Sequence, residues 1–315
     1  MLKEKEVLVS PMTNEWSPEL AKYFSRGELP SFLPEFLLMD LDGTFLDPNK
    51  RISQATRRTL QEFWQSPEAK LFRLGICTGR HYANLVNSVL PIFREKRPKD
   101  LHIICGGAAI IDSLGNTLVE RRLDSDLVKE LAQGAEERGA AFGFGQGEVF
   151  YCDPKMKEHR EKAFPDVTYD LATGLNSWST SLLVISQLNP EVENFVGSLS
   201  QINEIEAKRM IGYSGLPYYD ITRAGVNKHT AMLELAELLN IPKEKVAGIG
   251  DNLNDLELLQ QVSWGIAMAN AKPEVQEAAP LILNYSNAED GVARLIQALQ
   301  KAYQLQGLPE MERAQ

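Results

Sequence analysis

At 315 residues the chain exceeds an average domain, so one large or two smaller domains is the starting expectation. Its 43% hydrophobic and 24% charged residues are ordinary for a globular protein. A net charge of −10 argues against a nucleic-acid-binding surface or a basic membrane patch and leaves room for a metal cation. Cys77, Cys105 and Cys152 are too widely spaced to suggest a disulfide framework or a zinc site. The N-terminal "MLKEKEVLVSP" has too short an apolar run for a signal peptide, and no apolar run is long enough to cross a bilayer. A soluble, cytoplasmic protein is expected.

Residues 1–34 read as an extension before the main fold, with a short helix begun by Ser17 as N-cap and Pro18 at its first position. A strand at 36–40 then opens a strand–helix alternation. It continues with a helix from Ser53 to about Gln65, whose apolar side carries Leu60, Phe63 and Trp64, and a strand at 71–77. A helix from Arg80 and a third strand at 101–105 complete the pattern of a parallel sheet covered by helices. Near residue 124 the rhythm changes. A helix "SDLVKELAQGAEERG" and a helix from Pro190 are interspersed with short strands near "AAFGF", "GEVFYC", "TSLLVIS" and "AKRMIGYS", which predicts an α+β insert. Alternation resumes at about 225 with helices at 228–240, 254–262, 273–279 and 290–303 and strands at 246–250, 265–269 and 280–284. The expected fold is α/β. A core in two pieces, 35–123 and 219–305, is interrupted by an α+β domain at 124–218 and followed by a tail at 306–315.

Ligands of an open parallel sheet bind beyond the carboxyl ends of its strands, so the residues after each core strand matter most. After 36–40 come Asp40 and Asp42, which share one face of an extended chain. Two neighbouring carboxylates are costly unless a cation or a proton lies between them. Alone, Asp42-Gly43 also reads as a plain turn. After 71–77 come Thr78, Gly79 and Arg80, and after 246–250 come Asp251, Asn252, Asn254 and Asp255. Lys228 and Arg80 each place a cation in the first turn of an expected helix, against the macrodipole, at a cost of about 0.3–1 kcal/mol. A bound anion would reverse that cost. Each feature has a structural alternative: Lys228 solvated, Arg80 paired with a carboxylate, Asp251 or Asn252 an N-cap, Asp255 a first-turn acid. Their convergence on one sheet edge is harder to explain that way, and it makes chemical sense. Mg²⁺ takes carboxylates, waters and a substrate phosphate. A carboxylate can attack phosphorus, a lysine and backbone N–H groups can hold the phosphoryl oxygens, and a second carboxylate can protonate the leaving oxygen.

Four motifs in order, "DLDGT", "TGR", "GVNKHTAML" and "GDNLND", followed by "GIAMANAKPEVQEAAPLILNYSNAEDGVARLI", resemble the haloacid dehalogenase-like phosphatases. The similarity is to the Cof-type branch with an α/β cap (C2-type) and covers about residues 36–300. It implies a Rossmann-like core with an inserted α+β cap. It also implies a Mg²⁺-dependent phosphatase that hydrolyses small phosphorylated metabolites, by default sugar phosphates, through an aspartyl-phosphate. A phosphosugar mutase of the same fold and a non-catalytic phospho-ligand-binding regulator are the alternatives. By position, the resemblance makes Asp40 the nucleophile and a metal ligand, and Asp42 the acid/base whose backbone carbonyl also meets the metal. Thr78, the Gly79 amide and Lys228 correspond to phosphate-binding positions, and Asn254 to one that orients phosphate or Lys228. Asp251 corresponds to a metal ligand and Asp255 to an outer or alternate one. Nucleic acid and membrane are not implied as partners.

Two departures bear on substrate preference. Gly106 in "CGGA" stands where the family often has Asn, and His229 stands where Gly often follows the lysine. In the insert, Lys155, Lys157, His159, Arg160, Trp178, Lys208, Arg209 and Tyr213 are candidate substrate contacts. Cys77 and Cys105, at strand ends, read as buried small hydrophobes.

Overall fold

The computed structural model describes residues 15–172, 181, 183–186, 189–211 and 217–307. In chain order the first strands are β1 (Phe24–Arg26), β2 (Phe36–Met39), β3 (Arg73–Ile76), β4 (Leu101–Ile104), β5 (Ala109–Asp112) and β6 (Thr117–Glu120). There follow β7 (Ala141–Gln146), β8 (Val149–Cys152), β9 (Thr168–Leu171), β10 (Leu183–Ser186), β11 (Ile205–Ile211) and β12 (Pro217–Arg223). The last are β13 (Val246–Gly250), β14 (Trp264–Ala267) and β15 (Leu281–Leu283).

A six-stranded sheet has the order β1-β15-β14-β13-β2-β3, parallel throughout except at the β1 edge. Strand β2, next to the β3 edge, is buried on both faces, as expected of a helix-covered parallel sheet. Alternate residues feed different cores. Leu37 and Met39 pack in the cluster that holds Leu60, Phe63, Leu295 and Leu299 of helices Gln54–Gln65 and Gly291–Gln306. Phe36 and Leu38 pack in the cluster that holds Met232, Leu235 and Leu258 of helices Lys228–Leu239 and Leu256–Gln261.

Strands β7–β12 form a second six-stranded sheet, order β11-β12-β10-β7-β8-β9, antiparallel except for the β8–β9 pair. Helices Ser125–Glu137 and Pro190–Ser198 cover one face, where Val128, Leu131, Val192 and Val196 meet Phe142, Phe144, Leu183, Ile185 and Ile221. The residues between these on β10 and β12, namely Val184, Ser186, Tyr218 and Asp220, line a cavity instead. This period-two alternation makes one sheet serve as both a core wall and a cap over the core. The fold is therefore α/β, a Rossmann-like core with an inserted cap.

Three expectations are corrected. The strand at 101–105 belongs to an antiparallel sheet, β4-β5-β6, which meets the β3 edge of the core sheet through a parallel bridge between Cys77 and Ile103. No α-helix starts at Arg80. The Thr78 and Arg80 carbonyls accept from the N–H groups of Gly106 and Cys105, which ties this loop to the one after β4. The α-helix begins only at Leu90, with Pro91 in its first turn. The stretch 15–34 is also more than an extension. Its helix starts at Trp16 without a Ser17 cap, Trp16 packs 6.5 Å from Trp264, and β1 adds an edge strand against β15. Residues 1–14 lie outside the described residues.

Candidate active site

The carboxyl ends of β2, β3 and β13 and the start of helix Lys228–Leu239 bring the motif residues together. Asp40 directly follows β2, its N–H donates to the Ile249 carbonyl at 3.0 Å, and its residue is 6% exposed. The chain then turns at Gly43, with φ +86°, where a Cβ would lie 2.3 Å from Asp251 Oδ2. Glycine is thus what lets the first motif touch the fourth. Thr44 Oγ1 donates to Asp251 Oδ1 at 2.9 Å and strengthens that contact.

Lys228 is 2% exposed, and its Nζ donates to Asp40 Oδ1 at 2.6 Å and Asp255 Oδ1 at 2.5 Å. Burial alone would lower its pKa, but Asp255 and Asp40 outweigh burial and hold it well above the usual lysine value. The sequence signal, a cation in a helix's first turn, is thus explained by buried carboxylates rather than by solvent. Asp255 Oδ2 accepts from the Asp251 and Asn252 N–H groups, both at 3.1 Å, so both Asp255 oxygens are engaged within the protein. Asn227 caps the lysine's helix by accepting from Thr230 N–H, and Thr230 Oγ1 accepts from Asn227 N–H in return.

The helix start is held close by Gly107 (φ +109°), where a Cβ would meet Asn227 O at 2.2 Å. Gly106 (φ +65°) has nothing within 4 Å of its Cβ position, so a left-handed-tolerant Asn would fit there. Gly107→Ala is accordingly expected to cost at least about 2 kcal/mol and to displace Lys228, against about 1 kcal/mol for Gly106→Ala. Urea denaturation of the two variants measures the difference, and equal losses would contradict this account.

Carboxylate oxygens of Asp40, Asp251 and Asp255 lie within 4.8 Å of one another, an all-oxygen set compatible with a metal ion. Burial, followed by the charge of Asp255, raises the Asp40 pKa well above the carboxylate range and pushes Asp251 up to about 7. Beside burial, the like-charge penalty falls among Asp40, Asp251 and Asp255 rather than chiefly between Asp40 and Asp42, the pair the sequence singles out. Asp42 points elsewhere. Arg80 forks onto it, Nε to Oδ2 at 2.7 Å and Nη2 to Oδ1 at 2.6 Å, and Lys50 Nζ lies 3.7 Å from Oδ1. Burial would raise the Asp42 pKa, yet the Arg80 guanidinium brings it below its usual value.

Asp40, Asp42, Thr78, Gly79 and Asn254 line a cavity of about 400 Å³ roofed by the second sheet. Thr78 Oγ1 accepts from the Arg80 N–H at 3.1 Å. Asn254 Oδ1 is buried without a partner and makes no bond to Lys228. Of the candidate contacts in the insert, Arg160 lines this cavity. Lys155 bonds the Gly139 carbonyl, Lys157 pairs with Glu161, Lys208 reaches the Val226 carbonyl, and Arg209 lies 3.9 Å from Glu193. Trp178, Tyr213 and the His159 side chain lie outside the described residues. His229 is half-buried on its helix, and Cys77 is a buried thiol pushed up to about 12, a small hydrophobe as expected.

Sequence reasoning missed Thr44, Lys50, Phe164, Tyr218 and Asp220. For the last two the only available signal was alternation within "PYYDITR". Asp220 is raised to about 7 by burial, against the pull of Arg160 and Lys208. A carboxyl with a raised folded-state pKa costs stability above that pKa, and the cost fades as pH falls toward the unfolded value. Asp220→Asn should therefore stabilise the protein at pH 8 by about 1–3 kcal/mol, with a smaller gain at pH 5. Urea midpoints at the two pH values test this, and a larger gain at pH 5 would refute it.

Known proteins bear on this geometry. The profile of the haloacid dehalogenase-like hydrolase family matches residues 37–296. The chain is 26% identical over 277 residues to the 5-amino-6-(5-phospho-D-ribitylamino)uracil phosphatase YitU of Bacillus subtilis, covering 84% of this chain and 96% of the relative. It is 24% identical over 299 residues to the phosphatase YwpJ of the same organism, covering 84% and 99%. Its fold matches a HAD/COF-like hydrolase from Plasmodium vivax with a TM-score of 0.71 at 22% identity, covering 90% of this chain and 100% of that one. Profile, relatives and fold agree with the four motifs assembled at one sheet edge: the chain belongs to the haloacid dehalogenase-like hydrolases.

Proposed function

We propose that the protein is a Mg²⁺-dependent phosphatase of small phosphorylated metabolites, sugar phosphates among them, that works through a phosphoryl group carried on Asp40. The observation that carries this reading is the buried Lys228 bridging Asp40 and Asp255 beside Asp251, an arrangement that makes sense around a phosphate and a divalent cation. Asp40 and Asp251 supply the carboxylates for Mg²⁺ and the Asp42 carbonyl a further oxygen. Asp255, whose oxygens are already engaged, holds Lys228 and the loop from an outer position. Bound there, Mg²⁺ neutralises the crowded carboxylates and the charge of the transferring phosphoryl group.

The remaining work falls to the chain's own groups. The Asp40 carboxylate attacks phosphorus. The Thr78 hydroxyl, the Gly79 N–H, the Asn254 Nδ2 and the Lys228 ammonium donate to the phosphoryl oxygens, and the unpartnered Asn254 Oδ1 is left to accept from a ligand hydroxyl or water. Asp42 protonates the leaving oxygen and then activates water. The Arg80 fork favours the ionised form of Asp42, which suits the second step. An incoming anion that draws Arg80 away would favour the protonated form needed for the first. The insert over the cavity excludes water and meets the leaving group.

The test is phosphate release from a panel of phosphorylated metabolites, including p-nitrophenyl phosphate and 5-amino-6-(5-phospho-D-ribitylamino)uracil, with Mg²⁺ and with EDTA. Turnover that requires Mg²⁺ is expected. No release from any compound by folded protein would overturn the reading.

A further inference from the structure

Three cations from two parts of the chain converge on a single phenylalanine of the cap. Lys50 Nζ lies 4.8 Å from the centroid of the Phe164 ring, Arg80 Cζ 5.0 Å and Arg160 Cζ 4.9 Å, and all four residues line the cavity. Cations gathered this closely repel one another unless anions compensate them. Arg80 and Lys50 have the Asp42 carboxylate between them. Arg160 differs. Its guanidinium lies over the Phe150 ring as well, at 4.3 Å, and its Nε is buried with no hydrogen-bond partner.

Packing on aromatic rings occupies the faces of a guanidinium and leaves its in-plane N–H donors for an anion. A buried donor without a partner costs about 1–3 kcal/mol, so its retention in a cavity wall calls for a ligand. Arg160 also pulls on Asp220, whose carboxyl burial pushes up to about 7 and which therefore compensates it only in part near neutral pH. Lys50 stands on the core side of Phe164 in a left-handed conformation (φ +61°), at the end of a turn tied by Asp47, which accepts from the Asn49 and Arg51 N–H groups. The turn fixes the backbone from which the Lys50 side chain reaches the ring.

We propose that Arg160, with Lys50 across the Phe164 ring, is a subsite for a second anionic group, a carboxylate or a phosphate, on the leaving group of the substrate. The inference rests on the phosphatase reading above and narrows it to phosphate esters that carry another anion. Because Arg160 comes from the insert and Lys50 from the core, such a substrate would also hold the cap against the core.

Binding tests this without relying on turnover. Calorimetry on the Asp40→Asn protein with Mg²⁺ compares 3-phosphoglycerate with glycerol 3-phosphate, and fructose 1,6-bisphosphate with fructose 6-phosphate. The first pair reads a carboxylate as the second anion and the other pair a phosphate. In at least one pair the doubly anionic member should bind about tenfold tighter or more. Arg160→Met, which keeps a long apolar side chain against both rings, should bring that ratio near unity in the same background. Arg160→Lys should keep part of it. Should Arg160→Met fail to fold, Lys50→Met reads the same ratio. No preference in either pair, or a preference untouched by every folded variant, overturns the proposal. Phosphate release by the wild type from either member of each pair, or from any compound of the metabolite panel, is the separate check on the phosphatase reading. Turnover without a second-anion preference would sink the subsite alone, and a preference in binding without turnover would sink the catalytic reading while upholding the subsite.

Discussion

Lys228→Met is expected to be the most damaging single substitution in the protein. It removes a buried ammonium that donates to Asp40 and Asp255 at 2.6 and 2.5 Å and leaves three carboxylates, ligand atoms within 4.8 Å of one another, with no cation of their own. Breaking a buried ion pair by deleting one partner costs about 3–5 kcal/mol. With its pKa held well above the usual lysine value, the Lys228 contribution is fully present across the neutral range and is lost only as pH rises through that higher value. The loss should therefore appear at pH 7 as a large drop in the urea midpoint in EDTA. On the Mg²⁺ reading proposed above, Mg²⁺ should return part of it by linkage, since a cation that binds the folded cluster and not the unfolded chain stabilises the fold. Activity should be lost even where the fold is restored. An unchanged midpoint in EDTA would mean that the ammonium does not hold the carboxylates together.

Asp40→Asn should have the opposite profile. kcat/KM for p-nitrophenyl phosphate should fall by at least about 10³-fold, since the amide is a poor nucleophile at phosphorus. Stability in EDTA should hold or rise. The substitution removes a carboxyl whose pKa burial and Asp255 have already raised, and its amide oxygen can still accept from Lys228. Loss of function without loss of fold separates a reacting group from a structural one. Activity above about 1% of wild type would refute the nucleophile assignment.

The contrast between these residues also shows what the sequence could reveal. β2 was legible because four consecutive apolar residues end in a carboxylate, and Lys228 because a cation is out of place in a first helical turn. The pairing of Lys228 with both Asp40 and Asp255 was not. It joins residues separated by 188 and 27 positions, and no local periodicity encodes such a contact. Arg80 carried the same misplaced-cation signal for a different reason. Its segment is not a helix, and its side chain serves Asp42. The antiparallel β4-β5-β6 sheet was misread because "LHIIC" has the apolar run of a buried parallel strand, while its antiparallel partner is decided by the short turn that follows it. In the cap, Tyr218 and Asp220 share one face of β12, a strand not predicted from the sequence, and which face meets the core depends on tertiary packing. The edge strand β1 was invisible for a similar reason. Phe24–Arg26 is too short to signal a strand, and its pairing with β15 joins opposite ends of the chain.

The central claim is that the phosphoryl group passes through Asp40, and trapping it there is the most direct measurement. p-Nitrophenyl phosphate has a leaving group that needs no proton, so Asp42→Asn should load Asp40 and then stall before hydrolysis. Rapid quench followed by borohydride reduction converts an aspartyl-phosphate to homoserine, which peptide mass spectrometry can locate. The account predicts homoserine at position 40, dependent on substrate and Mg²⁺ and absent from Asp40→Asn. Homoserine at another carboxylate, or none at position 40 in an enzyme that turns over, would contradict it.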